Sequence, residues 1–221
     1  MDPELFQYLC GFLTAERMDT FDRVLAQRTR FLTVGFENLY RPHNMSACVR
    51  SCDCFGVQDV HVIESRNQFE PNSQIARGAT NWTTVVRYTS GQDCIRSLRE
   101  NGYRIVATSP HAEHRSVRNL KISSPTAVLF GNEKEGLSPD VIDAADECVR
   151  IPMWGFTESF NISVAVAITL YEIADEVRQA GNDWALSEPE IQTLREDWVE
   201  KSLGWKLDSY LRRFEEDRAG Q

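Results

Sequence analysis

Residues 32–56 read LTVGFENLYRPHNMSACVRSCDCFG. The apolar run Leu32–Leu39 predicts a strand. Pro42-His43-Asn44 is turn-like, and Met45–Phe55 predicts a helix closed by Gly56 at C′. Asp59–Ile63 predicts a second strand. Strand, helix and strand in so short a span make a βαβ unit, and the two strands of such a unit run parallel.

The same alternation continues outward. Upstream, residues 17–28 predict a short amphipathic helix with Phe21, Val24 and Leu25 on one side. Downstream, strands are expected at Thr83–Tyr88, Tyr103–Thr108, Thr126–Phe130 and Cys148–Met153. Helices are expected at Gly91–Glu100, from Ser138-Pro139 to Ala145 with Ser138 at N-cap, and over Asn161–Gln179. Residues 187–218 predict one or two charged helices. The fold class is therefore α/β with a mostly parallel sheet. Its segments are an N-terminal helical extension (1–30), the α/β domain (31–180) and a C-terminal helical extension (181–221).

The 221 residues suffice for one domain with a substantial core and a terminal addition. No apolar run is long enough to span a bilayer, so no membrane partner is expected. The first residues carry acids where a secretory signal needs positive charge, which points to the cytoplasm. In that compartment the six cysteines are thiols. Cys48, Cys52 and Cys54 lie close together, but without a C-x-x-C pair or a second cluster they read as small buried hydrophobes, and no metal is expected.

The net charge of −9 argues against a nucleic-acid partner until its distribution is followed. Residues 1–16 hold three acids and no base, and residues 172–221 hold thirteen acids and seven bases, which leaves 17–171 neutral. Within 17–50, six arginines (17, 23, 28, 30, 41 and 50) face three acids. Arg17, Arg23, Arg28, Arg30 and Arg41 are the candidates for RNA phosphates, with Arg66, Arg77 and Arg87 as the alternative surface. Arg23 and Arg30 share a side if their helix continues.

Open parallel sheets bind ligands beyond the carboxyl ends of their strands. Four such ends carry unusual residues: Arg41-Pro-His-Asn44 with Arg50, Ser109-Pro-His111 after Thr108, Gly131 to Ser138 after Phe130, and Gly155 to Asn161 after Met153. The third has the spacing of a phosphate loop, but Leu137 stands where the lysine is needed and two glutamates repel phosphate. Asn44 suits a helix cap or a site, and Arg50 a surface ion pair or a site. Ser159 and Asn161 stand where an apolar helix begins, and a cap explains only one of them.

Together these stretches resemble the SpoU branch of the SPOUT RNA 2′-O-methyltransferases. Asn44-Met-Ser-Ala47-x-x-Arg50 with Phe55-Gly56 is similar to the first motif of that family, Leu129-Phe-Gly-Asn-Glu133-x-x-Gly136-Leu-Ser138 to the second, and Ile151-Pro-Met to Ala165 to the third. The overall plan is similar to that of the tRNA (guanosine-18) 2′-O-methyltransferases. The resemblance implies a trefoil knot in the C-terminal half, a homodimer, S-adenosyl-L-methionine (AdoMet) as cofactor, and tRNA, alternatively rRNA, as substrate. It implies catalytic roles for Arg50, Asn44, Glu133, Ser159 and Asn161. It implies AdoMet contacts from Thr108, Phe130, Gly131, Ile151, Met153 and Phe160, with Phe160 in the last strand of the knot. The alternative is a catalytically idle RNA-binding member of the fold; that reading predicts broken motifs, and these five residues are intact.

Overall fold

Two adjacent strands, Leu32–Glu37 and Asp59–Ile63, run side by side with Val34 opposite Val60 and Phe36 opposite Val62. They begin a sheet in which every pairing is parallel. The computed structural model describes residues 1–76, 78–111, 115–179 and 183–219. Among these the sheet has seven strands: β1 Leu32–Glu37, β2 Asp59–Ile63, β3 Thr84–Tyr88, β4 Arg104–Thr108, β5 Arg115–Ser116, β6 Thr126–Phe130 and β7 Glu147–Arg150. Their order is β3-β2-β1-β6-β4-β7-β5. The helices are α1 Pro3–Cys10, α2 Ala15–Leu25, α3 Pro42–Cys54, α4 Ser73–Ala76, α5 Ala79–Trp82, α6 Gly91–Glu100, α7 Pro139–Asp143, α8 Ile162–Gln179, α9 Glu188–Leu203 and α10 Leu207–Ala219.

The chain divides into two compact units, Thr29–Trp184 and the pair of segments Met1–Arg28 with Ala185–Gln221. The two terminal stretches, read separately in the sequence, thus gather into one unit.

In the sheet unit, alternate strand residues face opposite sides. Val34, Phe36, Val60, Val62, Val128 and Phe130 pack with Met45, Cys48 and Cys52 of α3 and with Val166, Leu170 and Ile173 of α8. Ile105, Ala107, Ala127 and Leu129 pack on the other face with Cys94 and Leu98 of α6 and Val141 of α7. Each such buried aliphatic chain contributes about 2 kcal/mol. Because both faces are covered, the central strands read as continuous apolar runs.

The terminal unit buries Leu9, Phe21, Leu25, Leu194, Trp198 and Val199. Phe21 meets Trp198 edge-on at 5.5 Å, and the Arg28 guanidinium lies 5.5 Å from the same indole. Ser187 and Glu190 form a capping box at the start of α9. Among the described residues no helix is long and apolar enough to cross a membrane.

Four expectations need correction. Helix α3 begins at Pro42 with Arg41 as N-cap, because a proline at the first position pre-sets the helical φ; Asn44 lies inside the helix and is not its cap. Helix α2 ends at Leu25, so Arg23 and Arg30 do not share a helical face. Strand β7 stops at Arg150, where its partners stop: Val149 is the last residue opposite β4 and Arg150 the last opposite β5. Residues 151–161 then run without regular structure, so Phe160 is not in a strand. Helix α1, with Asp2 capping and Pro3 in the first turn, was legible as a start signal but was not read. Gly56 has φ +77°, as its C′ position demands.

Candidate active site

Strands β2 and β3 lie on one side of β1, and β6 with the remaining strands lies on the other. The order therefore reverses between β1 and β6, and the crevice beyond their carboxyl ends is where an open parallel sheet takes a ligand.

The loop leaving β1 is held rigidly. Asn38 has φ +51°, a conformation asparagine tolerates. Its backbone N–H donates to Ile63 O at 2.9 Å, its Oδ1 accepts from Arg66 N at 2.8 Å, and its Nδ2 donates to Ser65 Oγ at 2.9 Å. The loop leaving β6 closes on itself. Asn132 and Gly136 exchange backbone hydrogen bonds of 3.1 Å, and Asn132 Oδ1 accepts from the N–H groups of Lys134 and Glu135. A Cβ on Gly131 would overlap the backbone of Gly136 and Leu137, so the loop itself requires that glycine. Glu37, buried at the end of β1, accepts from Ser138 N at 2.7 Å and fixes the far end of the same loop.

Three of the five candidate catalytic residues meet here. Asn44 Nδ2 donates to Glu133 Oε1. Asn161 Nδ2 donates to Asn44 Oδ1 at 3.2 Å. Asn161 Oδ1 accepts from Ser163 N at 2.9 Å and from Ser163 Oγ at 2.7 Å. Asn161 thus caps α8 with its oxygen while its nitrogen reaches the site. A carboxylate only accepts, so Asn44 must present its NH₂ to Glu133 and its oxygen to Asn161. Chemistry fixes every amide orientation in the run.

Arg50 and Ser159 are not part of this run. Both are exposed, and neither side chain forms a hydrogen bond or ion pair with the described residues. Six helical positions turn through roughly 240° net of full turns, so Arg50 leaves α3 on a different side from Asn44.

The candidate cofactor residues sit at the ends of β4, β6 and β7. Thr108 Oγ1 donates to Leu129 O at 2.9 Å, and the Phe130 side chain is buried in the core. These two positions, and Gly131, offer only backbone groups. Ile151 and Met153 are half-buried and Phe160 is 42% exposed, so they offer apolar side chains.

Residues 32–171 match the model of the SpoU rRNA Methylase family. The chain belongs to the SpoU family. It is similar to two enzymes named tRNA (guanosine(18)-2′-O)-methyltransferase. The one from Borreliella burgdorferi is 40% identical over 85% of this chain and 86% of its own length. The one from Thermus thermophilus is 34% identical over 85% of this chain and 98% of its own length. Among solved structures, the A. aeolicus TrmH/SpoU tRNA modifying enzyme has a TM-score of 0.78 at 31% identity, covering 85% of this chain and 97% of that one. The SpoU methyltransferase AviRb from Streptomyces viridochromogenes, solved in complex with AdoMet, has a TM-score of 0.58 at 26% identity, covering 71% and 62%.

Beyond this SpoU core, the arginine set needs revision. Arg28 is 1% exposed and cannot reach a phosphate; its guanidinium is held against Trp198. Arg30 is half-buried and its Nε donates to Asp59 Oδ2 at 2.9 Å. Arg17, Arg23 and Arg41 are exposed. On the alternative surface, Arg66 pairs with Glu135 at 2.6 Å and Arg87 with Glu64 at 2.5 Å, while Arg77 lies outside the described residues.

Of the three clustered cysteines, Cys48 and Cys52 are buried and Cys54 is exposed. Burial pushes the Cys48 thiol well up, and Cys94 is pushed up to about 12 by burial first and then by the neighbouring Glu37 charge. Two residues that hold the candidate site were missed in the sequence. Glu37 was hidden because it closes an apolar strand, and an acid there was itself the signal. Ser163 was hidden because a second donor to a cap leaves no pattern.

Proposed function

We infer that this chain is an AdoMet-dependent tRNA 2′-O-methyltransferase acting in the cytoplasm, with guanosine 18 as its target. The observation that carries the reading is the hydrogen-bonded run Asn161–Asn44–Glu133, which ties the three motif stretches together at the strand-order reversal. Two relatives named for that reaction support the choice of tRNA, because their similarity reaches across 85% of the chain.

The residues at the strand ends fit AdoMet. They combine backbone groups with the apolar side chains of Ile151, Met153 and Phe160, and they include no carboxylate that would over-stabilise a sulfonium in the ground state. Bound AdoMet supplies an electrophilic methyl for the ribose 2′ oxygen.

The chain's own residues then position and activate the hydroxyl. A guanidinium is a poor base, so Arg50 takes a different role; a guanidine acting as the base is the rival account. Arg50 holds the phosphate beside the target ribose as a two-toothed donor and lowers the effective pKa of the hydroxyl; a phosphate oxygen or water takes the proton. Glu133 fixes the Asn44 amide, and Asn44 and Asn161 orient the ribose. Ser159, exposed beside Asn161, holds the ribose–phosphate. Arg17, Arg23 and Arg41 contact phosphates farther along the RNA.

The protein works as a homodimer with its C-terminal half knotted. Strand β7 seated between β4 and β5, both earlier in the chain, supports the threading. The exposed apolar residues Val164 and Tyr171 of α8 support the dimer.

The test is tritiated AdoMet with unmodified total tRNA and with rRNA, followed by mapping of the methylated position. Methyl transfer to a guanosine ribose of tRNA is expected. Transfer confined to rRNA, or none to either, would overturn the reading.

A further inference from the structure

Tyr40 follows the buried Leu39 in the β1–α3 loop and is 60% exposed. The bonds of Asn38 hold that loop, so a mobile loop does not account for its exposure. The ammonium of Lys134 lies 5.1 Å from its ring centroid. Lys134 adjoins Glu133, and Tyr40 stands four residues before Asn44. The ring and the ammonium therefore join the same two loops that the Asn44–Glu133 hydrogen bond joins. Arg41, next in the chain, is exposed, and its guanidinium forms no hydrogen bond or ion pair with the described residues.

An exposed aromatic ring flanked by two cations, beside a site for a ribose, has the chemistry of a single-strand reader. Unpaired bases stack on aromatic side chains, while lysine and arginine hold the phosphates on either side. The other exposed aromatics of this unit do not share that chemistry: Tyr171 of α8 is followed by Glu172. Trp154, Phe156 and Phe160 follow one another in the 151–161 segment, which carries Glu158 and no lysine or arginine.

We propose that Tyr40 is the stacking platform for an unpaired nucleobase adjoining the ribose to be methylated, with Arg41 and Lys134 holding the phosphates around it. This rests on the reading of the chain as an RNA 2′-O-methyltransferase. A base held there fixes the angle at which the target ribose enters the crevice. It also makes an unpaired, splayed neighbour a condition of substrate choice, which a duplex cannot meet.

The test uses the full chain and tRNA carrying 2-aminopurine immediately 5′ or immediately 3′ of the mapped methylation position. Stacking on a ring quenches 2-aminopurine fluorescence. The wild-type protein is expected to change the quench at one of the two positions. Tyr40→Leu, which keeps apolar bulk without a π face, and Tyr40→Ala are expected to lose that change and to raise KM for tRNA about tenfold; Tyr40→Phe is expected to keep the quench. AdoMet affinity, measured by calorimetry, reports that the variants are folded. If the wild-type protein methylates tRNA but the Leu and Ala variants quench as it does, the platform is not Tyr40 and the functional reading stands. If the wild-type protein binds no RNA, the functional reading fails and this inference fails with it.

Discussion

Asn161 Nδ2 donates to Asn44 Oδ1 at 3.2 Å across 117 positions of sequence. The direction of that bond is dictated at its far end. A carboxylate only accepts, so Asn44 must turn its NH₂ toward Glu133 and its oxygen toward Asn161. Replacing one donor in such a run has a defined consequence. Asn44→Asp sets a carboxylate against a carboxylate at hydrogen-bond distance, and methyl transfer should fall at least a hundredfold, about 2.7 kcal/mol. Adding Glu133→Gln restores a donor and an acceptor with their places exchanged, while the second aspartate oxygen still accepts from Asn161. Single-turnover methylation should therefore recover in the double variant. Two losses that simply add would mean that Asn44 and Glu133 act independently and not through their bond.

Arg50 is exposed and unengaged by the described residues, which suits a group that meets RNA and not cofactor. Arg50→Ala should abolish methyl transfer and leave AdoMet affinity nearly unchanged in calorimetry. Arg50→Lys should fail as well, because a point charge lacks the planar fork that grips a phosphate. A loss of fold or of AdoMet affinity in Arg50→Ala would return this residue to a structural role.

Arg23 and Arg28 lie five positions apart and should behave in opposite ways. Arg23 is exposed, whereas Arg28 is buried against Trp198. Arg23→Ala should flatten the salt dependence of tRNA binding by about one unit of slope, with no change in melting temperature. Arg28→Ala should lower stability by about 1–2 kcal/mol through the lost packing and cation–π contact. Binding titrations at several salt concentrations, with melting curves on the same samples, separate the two. A flattened slope in Arg28→Ala at unchanged stability would contradict its burial.

The thiols give a check that is independent of RNA. Cys48, Cys52 and Cys94 are buried and Cys54 is exposed. Thiolate is the reacting form, so in the native protein near pH 8 Cys54 should be labelled first by iodoacetamide and Cys48 and Cys94 should resist. The same burial sets a pH dependence. The Cys94 thiol ionises near 9.0 in the unfolded chain but only near 12 in the fold. Above pH 9 the unfolded state loses this proton while the native state keeps it. Stability should fall as pH rises through that window, by up to about 1.4 kcal/mol per unit for this group. Mass mapping of labelled peptides and melting curves from pH 8 to 11 test both parts. Early labelling of Cys94 would place it at the surface.

The sequence revealed those parts of this molecule that periodicity governs. β2, β6 and α6 have the bounds that their apolar patterns suggest, because each is a single element buried along one face or both. β5 was invisible: two residues make no pattern, and only pairing with β7 defines them. Phe160 was misplaced because only the family resemblance put it in a strand, and among the described residues no partner strand pairs past Arg150. In the site, residue types were legible and directions were not. Asn44 was readable as cap or site; the proline at the start of α3 removed the first choice, and only the fold brought Glu133 and Asn161 to it. Arg28 looked like a phosphate ligand because composition does not say which arginine lies under an indole.

The last expectation concerns the exposed apolar face of α8. Val164 is 43% exposed and Tyr171 72% exposed, and Ile168 between them is half-buried. Spacings of four and three place all three on one side of the helix. A chain that leaves Tyr171 open, with Trp154 at 85% and Phe156 at 107% exposure in the preceding segment, would bury more apolar surface by pairing with a second copy. The protein should therefore run as a dimer in light scattering. Ile168→Glu is a poor probe, because a half-buried carboxylate also strains the monomer. Val164→Glu combined with Tyr171→Glu places charges only where the monomer meets solvent. That variant should keep its circular dichroism, lose the dimer, and lose methyl transfer if segment 151–161, proposed to hold AdoMet, is kept in place by the second copy. A wild-type protein that scatters as a monomer at micromolar concentration, or a double variant that remains a dimer, would place the subunit contact elsewhere or remove it.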